Sequence, residues 1–302
     1  MDRFHLMNVF VAVAEEESFS AAARRLSQSP PAVTRAVALL EERLGVTLLT
    51  RTTRFVRATD AGQRYLESAR RILAEVDEAD EAAAGTHAAP RGQLAITAPV
   101  LFGNMYVMSG IVDYLKRYPD VSVSALLLDR VVNLLEEGLD VGVRIGALPD
   151  SSMRAIHVGS VRSVICASPH YLKKHRIPKE PQDLAAHTIV AAGPVSPTVE
   201  WRLRAGNKSM AVKVRPRLAV SNNDAAIYAT LRGAGITRLI SYQVASHLAA
   251  GRLTRILTDY EPPPLPIHVL HHHGRQASAK VRGFVDLLVE RLRADTTLNE
   301  TK

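Results

Sequence analysis

Two short helical patterns lie on either side of a three-residue break, Ser27-Gln28-Ser29, and that spacing narrows the choice of folds for the N-terminal region. Ahead of them Phe4, Met7, Phe10, Val11 and Ala14 recur at helical spacing, which predicts a first helix from Asp2 to Glu16. Ser18-Phe19-Ser20 interrupts it, and Ser20 is expected to cap a short second helix over Ala21–Leu26. Ser29 followed by Pro30 reads as a cap with proline at the first helical position, where a missing N–H costs nothing. The third helix then runs from Pro30 to Leu44 with Val33, Val37, Leu40 and Leu44 as its apolar stripe, and Gly45 ends it. Helices joined by so short a turn form a helix-turn-helix, and the Ala22-Ala23 pair lets them pack closely. The outward face of the third helix offers Pro31, Ala32, Thr34, Arg35 and Ala38, small enough to sit in a major groove, with Thr34 and Arg35 placed to reach bases or phosphates. The same periodicity also describes a three-helix core with a solvated outer face, and helix spacing alone does not separate the two.

The next residues favour DNA. Thr47–Arg51 and Arg54–Arg57 are strand-like runs around Thr52-Thr53, a hairpin in the position of a wing. Arg51, Arg54 and Arg57 put three cations on it with no acid between them, a pattern suited to phosphate or minor-groove contact. An edge hairpin that uses charge to prevent aggregation has the same composition.

Ser18-Phe19-Ser20-Ala21-Ala22-Ala23-Arg24-Arg25-Leu26, Ser29-Pro30-Pro31-Ala32-Val33-Thr34-Arg35-Ala36-Val37, Leu40-Glu41-Glu42-Arg43-Leu44-Gly45, Leu48-Leu49-Thr50-Arg51 and Thr59-Asp60-Ala61-Gly62 together closely resemble the N-terminal signature of LysR-type transcriptional regulators. Two positions depart from it: Gln28 stands where the family usually has an apolar residue, and Thr34 where serine is commoner. The resemblance implies a winged helix-turn-helix that reads double-stranded operator DNA, with Ser20, Ser29, Pro30, Pro31, Thr34, Arg35, Arg51, Arg54 and Arg57 as the candidate contacts.

Thr59 is expected to cap a long helix to Ala84, in which Tyr65, Ala69, Ile72, Val76, Ala79 and Ala83 form a heptad seam flanked by Leu66 and Leu73. A seam of this kind fits a dimeric coiled coil or a helix packed on its own domain. A single helix-turn-helix reads only a half-site, which favours a homodimer, and the family resemblance extends this to a homotetramer. Gly85–Gly92 reads as a hinge.

From Gln93 the pattern becomes α/β. Leu94–Ile96, Val121–Ala125, Leu139–Ile145, Val164–Ala167 and Ile267–Leu270 read as strands. Helices are predicted over Gly103–Tyr118, Val131–Glu137, Pro169–Leu172, Ala225–Arg232 and Ser278–Arg293. The alternation predicts mainly parallel sheets covered on both faces, with ligands beyond the carboxyl ends of the strands. Ala98–Asn104 is the first candidate loop there. Arg144 is either an anion partner or half of a surface ion pair; Ser196 lies in a hydroxyl-rich loop; Asn222 reads more simply as a helix cap. Gly92-Gln93-Leu94, Asp140–Arg144, Tyr171-Leu172 and Asp183-Leu184 resemble the LysR-type effector domain. That resemblance implies two α/β lobes like those of periplasmic binding proteins, an inducer cleft between them, and Thr97, Pro99, Val100, Phe102 and Gly103 as its first loop. The resulting division is a DNA-binding domain at 1–59, a linker helix and hinge at 60–91, and an effector domain at 92–302, with lobe I at about 92–164 and 268–293 and lobe II at about 165–267.

Composition bounds the remaining choices. Lys and Arg number 38 against 30 Asp and Glu, a net charge of +8, which favours an anionic partner and, less directly, an anionic inducer. No cofactor is expected beyond a small-molecule inducer. The single cysteine, Cys166, excludes an internal disulfide framework and lies in an apolar run, where a buried inert thiol is the default. His271-His272-His273 alternate across a strand and do not converge on one metal ion. No apolar run is long enough to span a membrane and no secretory signal is read, so a cytoplasmic, nucleoid-associated protein is expected. No nucleophile elbow, P-loop or metalloprotease motif occurs. The leading expectation is a ligand-responsive regulator, not an enzyme, which would also meet RNA polymerase if it activates. The alternative is a small-molecule-binding or enzymatic α/β domain with a helical appendage that does not bind DNA.

Overall fold

A computed structural model describes residues 2–51, 56–84, 89–148, 153–193, 196–272 and 277–298, and does not describe the side chains of residues 51, 74, 75 and 77–84. The chain forms two compact units, Met1–Ala88 and Ala89–Lys302.

In the first unit α1 (Arg3–Glu16), α2 (Phe19–Arg25) and α3 (Pro30–Leu44) enclose a core of Phe10, Val13, Ala22, Ala23, Val33 and Val37. Ala36 and Leu40 are also fully buried. The cap of α2 is Ser18 rather than the expected Ser20: Ser18 has the extended backbone a cap requires, and its Oγ accepts the Ala21 N–H at 3.2 Å. Ser20 lies inside the helix and is exposed. At the end of α3 the Gly45 N–H donates to the Glu42 carbonyl and the Val46 N–H to the Glu41 carbonyl, both at 3.2 Å. Strands β1 (Leu49–Arg51) and β2 (Val56–Ala58) pair antiparallel, Leu49 opposite Ala58 and Thr50 opposite Arg57. The expected turn residues Thr52 and Thr53, together with Arg54, lie outside the described residues.

Helix α4 (Asp60–Ala84) starts at Thr59, whose Oγ1 accepts the Gly62 N–H at 2.9 Å. Leu66 and Ala69 are buried in the core of the same unit, and Tyr65, Ile72 and Leu73 pack against it, with the Tyr65 and Phe10 rings 5.5 Å apart. The first half of the predicted seam therefore covers α1 of its own unit. The side chains of Ala79 and Ala83 lie outside the described ones.

The second unit opens with β3 (Gly92–Ala98), α5 (Val100–Phe102), a π-helical turn (Gly103–Val107), α6 (Met108–Arg117), β4 (Val121–Leu127), β5 (Val141–Ile145) and β6 (Arg154–Val161). It continues with β7 (Ser163–Ala167), α7 (Pro169–Lys174), β8 (Ile189–Ala192), β9 (Val199–Ala205), β10 (Lys208–Val214), β11 (Pro216–Val220) and α8 (Asn223–Leu231). Strand β12 (Thr237–Ile240), α9 (Ser241–Ala249), β13 (Thr254–Ile256), β14 (Leu265–His271) and α10 (Ala279–Ala294) complete it. Two local expectations are corrected. Helical structure begins at Val100, not Gly103, because the Gly103 N–H already donates to the Pro99 carbonyl at 2.7 Å. Val131–Glu137 is a turn, not a helix: the Asn133 side chain accepts the Leu135 N–H, and the Val132 carbonyl is taken by Arg144 at 3.3 Å.

The first lobe has strand order β4-β3-β5-β14-β6, with β3 parallel to β4 and β5, and β14 antiparallel to its two neighbours. In the second lobe β12-β7-β13 is antiparallel and β11-β8 is parallel, and a parallel bridge from Ile189 to Ile236 places β8 beside β12. The resulting order, β11-β8-β12-β7-β13, repeats that of the first lobe. Each sheet is mainly parallel, as the alternation predicts, with one antiparallel strand that the alternation does not predict. The reason is shared: the antiparallel strand in each lobe is the one that arrives from the other lobe. The chain crosses at Arg162, whose carbonyl accepts the Ser241 N–H at 2.7 Å, and returns ahead of Leu265. Leu265 pairs with Val161, so the return strand joins the first lobe from its first residue. Phe102, Tyr114, Phe284 and Leu288 centre the first-lobe core; Trp201, Leu203, Ile236 and Tyr171 centre the largest in the second.

Candidate nucleic-acid interface and effector cleft

The outer face of α3 near its start presents Ser29, Pro30, Pro31 and Arg35 exposed and Thr34 half-buried. Pro30 and Pro31 have no N–H to cap, and the Ser29 side chain makes no capping bond, so its hydroxyl stays at the surface. Val33, Ala36, Val37 and Leu40 are all fully buried on the opposite side, which fixes the rotation of the helix and turns Thr34 and Arg35 outward. Arg35 makes no ion pair among the described residues. By contrast, Arg25 and Arg70 of the same unit both pair with Glu15, which raises the Arg25 pKa above its ordinary value.

The wing is fixed to α3 by one carboxylate. Glu41 Oε1 accepts the N–H of Leu48 at 2.7 Å and of Leu49 at 3.0 Å. Thr59 holds the other side, its N–H donating to the Leu48 carbonyl at 2.9 Å and its Oγ1 to the Thr47 carbonyl at 2.9 Å. Arg57 is exposed on β2, opposite Thr50. The side chain of Arg51 and the whole of Arg54 lie outside the described residues. Sequence reasoning missed Ser18 and Glu41; an acid three residues before the end of a helix, ahead of an apolar strand, was the available signal for the second.

In the second unit both crossings leave from the edge where β3, β5 and β6 end, so that edge faces the other lobe. Thr97, next to last on β3, is fully buried and its Oγ1 has no hydrogen-bond partner among the described residues. Pro99 and Val100 are half-buried at the start of α5. Phe102 and Gly103 are buried, Phe102 packing edge-on against Tyr242 of the second lobe at 5.4 Å between ring centroids. The phenol of Tyr242 is pushed well above its ordinary pKa by burial, with nearby Asp129 adding to the effect. Asp129 is the polar link that sequence reading did not find. Its Oδ1 accepts the Val100 N–H at 3.1 Å, and its Oδ2 accepts from Asn223 Nδ2 of the second lobe at 3.4 Å.

The other cleft candidates do not gather around this link through their own bonds. Arg144 donates to the carbonyls of Val143 at 3.0 Å and Val132 at 3.3 Å, which tethers the turn after β4, and burial holds its pKa below the usual guanidinium value. Ser196 Oγ donates to the Thr198 carbonyl at 2.8 Å. Asn222 caps α8, its Oδ1 accepting the Ala225 N–H at 2.9 Å, and places Asn223 at the helix start facing Asp129. Cys166 is buried in an apolar cluster and its thiol is pushed up to about 12. Among the described residues no three His, Cys, Asp or Glu side chains could hold one metal ion, and no helix is long and apolar enough to cross a membrane. His273 is not among the described residues.

A helical trio with a wing in one unit, and two topologically repeated α/β lobes joined by two crossings in the other, define a DNA-binding regulator with a ligand-binding domain. Residues 4–63 match the model of the bacterial regulatory helix-turn-helix protein, lysR family, and residues 87–293 match the LysR substrate binding domain. The chain belongs to the LysR family of transcriptional regulators, which are not enzymes. An HTH-type transcriptional regulator of Xanthomonas campestris pv. campestris is 34% identical over 292 residues, covering 95% of this chain and 85% of that one. The structure of CrgA, a LysR-type transcriptional regulator from Neisseria meningitidis, matches with a TM-score of 0.61 and 31% identity over 95% of this chain and 98% of that one. The full-length virulence activator AphB of Vibrio cholerae matches with a TM-score of 0.62 and 25% identity over 96% and 99%.

Proposed function

We propose that residues 1–59 read a two-part operator as a homodimer, through the N-terminal face of α3 in the major groove and the wing on the flanking backbone. In this reading Arg35 and Thr34 contact base edges. Ser20, Ser29, Pro30 and Pro31 sit against the sugar-phosphate surface, and Arg51, Arg54 and Arg57 neutralise phosphates. Residues 60–91 link this head to the effector domain at 92–302. The observation that carries the reading is the outward Arg35, without an ion pair among the described residues, on a helix whose opposite side is completely buried, next to a wing held in place by Glu41.

The effector is proposed to be a small anionic molecule bound between the lobes near Thr97, Pro99 and Val100, where a buried hydroxyl has no partner among the described residues. Asp129 and Tyr242 already link the lobes there, so a ligand that inserts changes their relative angle, provided it binds one arrangement better than the other. Exposed apolar residues along the corresponding edge strands, Leu126 on β4 and Leu218 on β11, fit further subunit contacts and support assembly to a homotetramer. The protein acts at the nucleoid in the cytoplasm, and as an activator it would also meet RNA polymerase.

Selecting genomic fragments retained by the purified protein at near-physiological salt tests this. A recurring interrupted dyad is expected, and Arg35→Ala should relax the preference at one position in each half. Absence of any enriched sequence, or an unchanged profile for Arg35→Ala, would remove the base-reading role.

A further inference from the structure

The net charge of this chain is carried almost entirely by the second lobe. Residues 165–264 contain 14 Lys and Arg against 6 Asp and Glu, which equals the +8 of all 302 residues. Residues 1–88, the DNA-reading unit with its linker, contain 11 against 13. The excess in the second lobe is concentrated on one structure. Strands β9 and β10 pair antiparallel and turn Trp201, Leu203 and Val212 into the core. Their outward face carries Arg202, whose side chain is 83% exposed, with Arg204 and Lys213 on the same side and Lys208 at the tip. Arg215 and Arg217 follow Lys213 at alternate positions of a nearly continuous extended segment, both exposed. Glu200 is the acid on this face and pairs with Arg202 at 3.7 Å. Lys208, Lys213, Arg215 and Arg217 have no ion pair among the described residues. The contrast with the first lobe is clear, where Arg130 pairs with Glu137 and Arg291 with Asp113.

A row of cations with one acid among them, on a two-stranded ribbon and the extended segment that follows it, with Trp201 and Leu203 turned into the core, is suited to a regularly spaced polyanion rather than an apolar partner. We propose that the β9–β10 face of the effector domain is a second DNA contact, which binds the phosphate backbone without reading sequence. The inference rests on the chain being a DNA-binding regulator. Once a head is seated, duplex DNA becomes the polyanion at highest local concentration, which favours it over an acidic protein. The family match assigns DNA binding to residues 4–63, so this surface is additional to it.

The test uses full-length protein and an 80-base-pair random-sequence duplex, with affinity measured across a salt series. Arg202→Gln, Arg204→Gln and Lys213→Gln are combined in one variant. With about 0.9 of log–log slope per phosphate contact, the slope should fall by about 2.7. A second variant, Arg202→Lys with Arg204→Lys, should keep the wild-type slope, which separates charge from folding. A third, combining Lys116→Gln, Arg117→Gln and Arg154→Gln on the first lobe, removes the same charge and should leave the slope unchanged. An unchanged slope in the first variant, with the wild type binding normally, would overturn the second contact alone and point to an acidic protein partner. An equal fall in the third would reduce it to bulk charge. A wild type that binds no duplex would overturn the DNA-binding reading and this proposal together.

Discussion

Glu41 Oε1 lies 2.7 Å from the amide nitrogen of Leu48, so a carboxylate on α3 fixes where the wing begins. The same oxygen takes the Leu49 N–H, so two backbone donors at the start of a strand converge on one charged acceptor. Hydrogen bonds to a charged group contribute about 1.5–3 kcal/mol, and removing the acceptor also leaves both donors unsatisfied. Glu41→Ala should destabilise the first unit by about 2 kcal/mol in chemical denaturation. Glu41→Gln, which keeps an acceptor, should lose less. DNA affinity should fall in the same order, because a displaced wing no longer presents Arg57 beside α3. Equal stabilities for the three proteins would refute the role.

A Cβ placed on Gly62 would lie 2.0 Å from the Leu48 carbonyl oxygen. That oxygen cannot withdraw, since it accepts the Thr59 N–H at 2.9 Å. In an unconstrained helix Gly→Ala gains about 1 kcal/mol. Here the overpacking cost of about 1–3 kcal/mol should outweigh it, so Gly62→Ala is expected to lower the melting temperature and loosen the wing. A stabilised variant would show that the contact relaxes freely.

Asp129 joins the first turn of α5 to Asn223 of the second lobe. Asp129→Ala should lower hydrogen-exchange protection of the Val100 amide about tenfold, equivalent to about 1.4 kcal/mol, close to the lower end for one hydrogen bond to a charged acceptor. Helix α8 should keep its protection because Asn222 still caps it. Equal loss in both places would indicate general unfolding rather than a broken link.

Three histidines, His187, His247 and His268, have pKa values held below the ordinary value, in each case first by burial and then by a nearby positive group. For His268 that group is His157, with ring centroids 5.6 Å apart. A depressed histidine pKa means that the unfolded chain binds more protons between the folded and unfolded values. Stability is therefore full above about pH 6.5 and falls as pH drops through the unfolded pKa. Melting temperature should decline from pH 7.5 to pH 5.5, and His268→Gln should make the decline shallower. A melting temperature that rises on acidification would reverse the assignment.

Much of the head was legible in the sequence because local chemistry alone decides it. The Ser29-Pro30 start, the Val33–Val37–Leu40 stripe and the Gly45 stop act within a few residues of one another, and the structure repeats them. The cap of α2 was misassigned to Ser20 because two serines flank Phe19. Which one caps depends on Phe19 turning toward the core, a contact between elements. Of the linker seam, Tyr65, Ala69 and Ile72 cover α1; heptad spacing cannot distinguish a partner helix from a helix of the same chain.

In the effector domain the α/β alternation predicted mainly parallel, covered sheets, and the family resemblance implied two lobes and the division between them. Tertiary structure decided the rest. The strands arriving from the opposite lobe run antiparallel, a property of topology rather than of any local pattern. Arg144 turns to the Val132 carbonyl in the Val131–Glu137 segment, and Asp129 finds partners 29 residues earlier and 94 residues later in the chain. Periodicity and capping report interactions within one helical turn or one strand repeat. Bonds across such separations exist only once the lobes are assembled, and they are what gives the effector cleft its polar link.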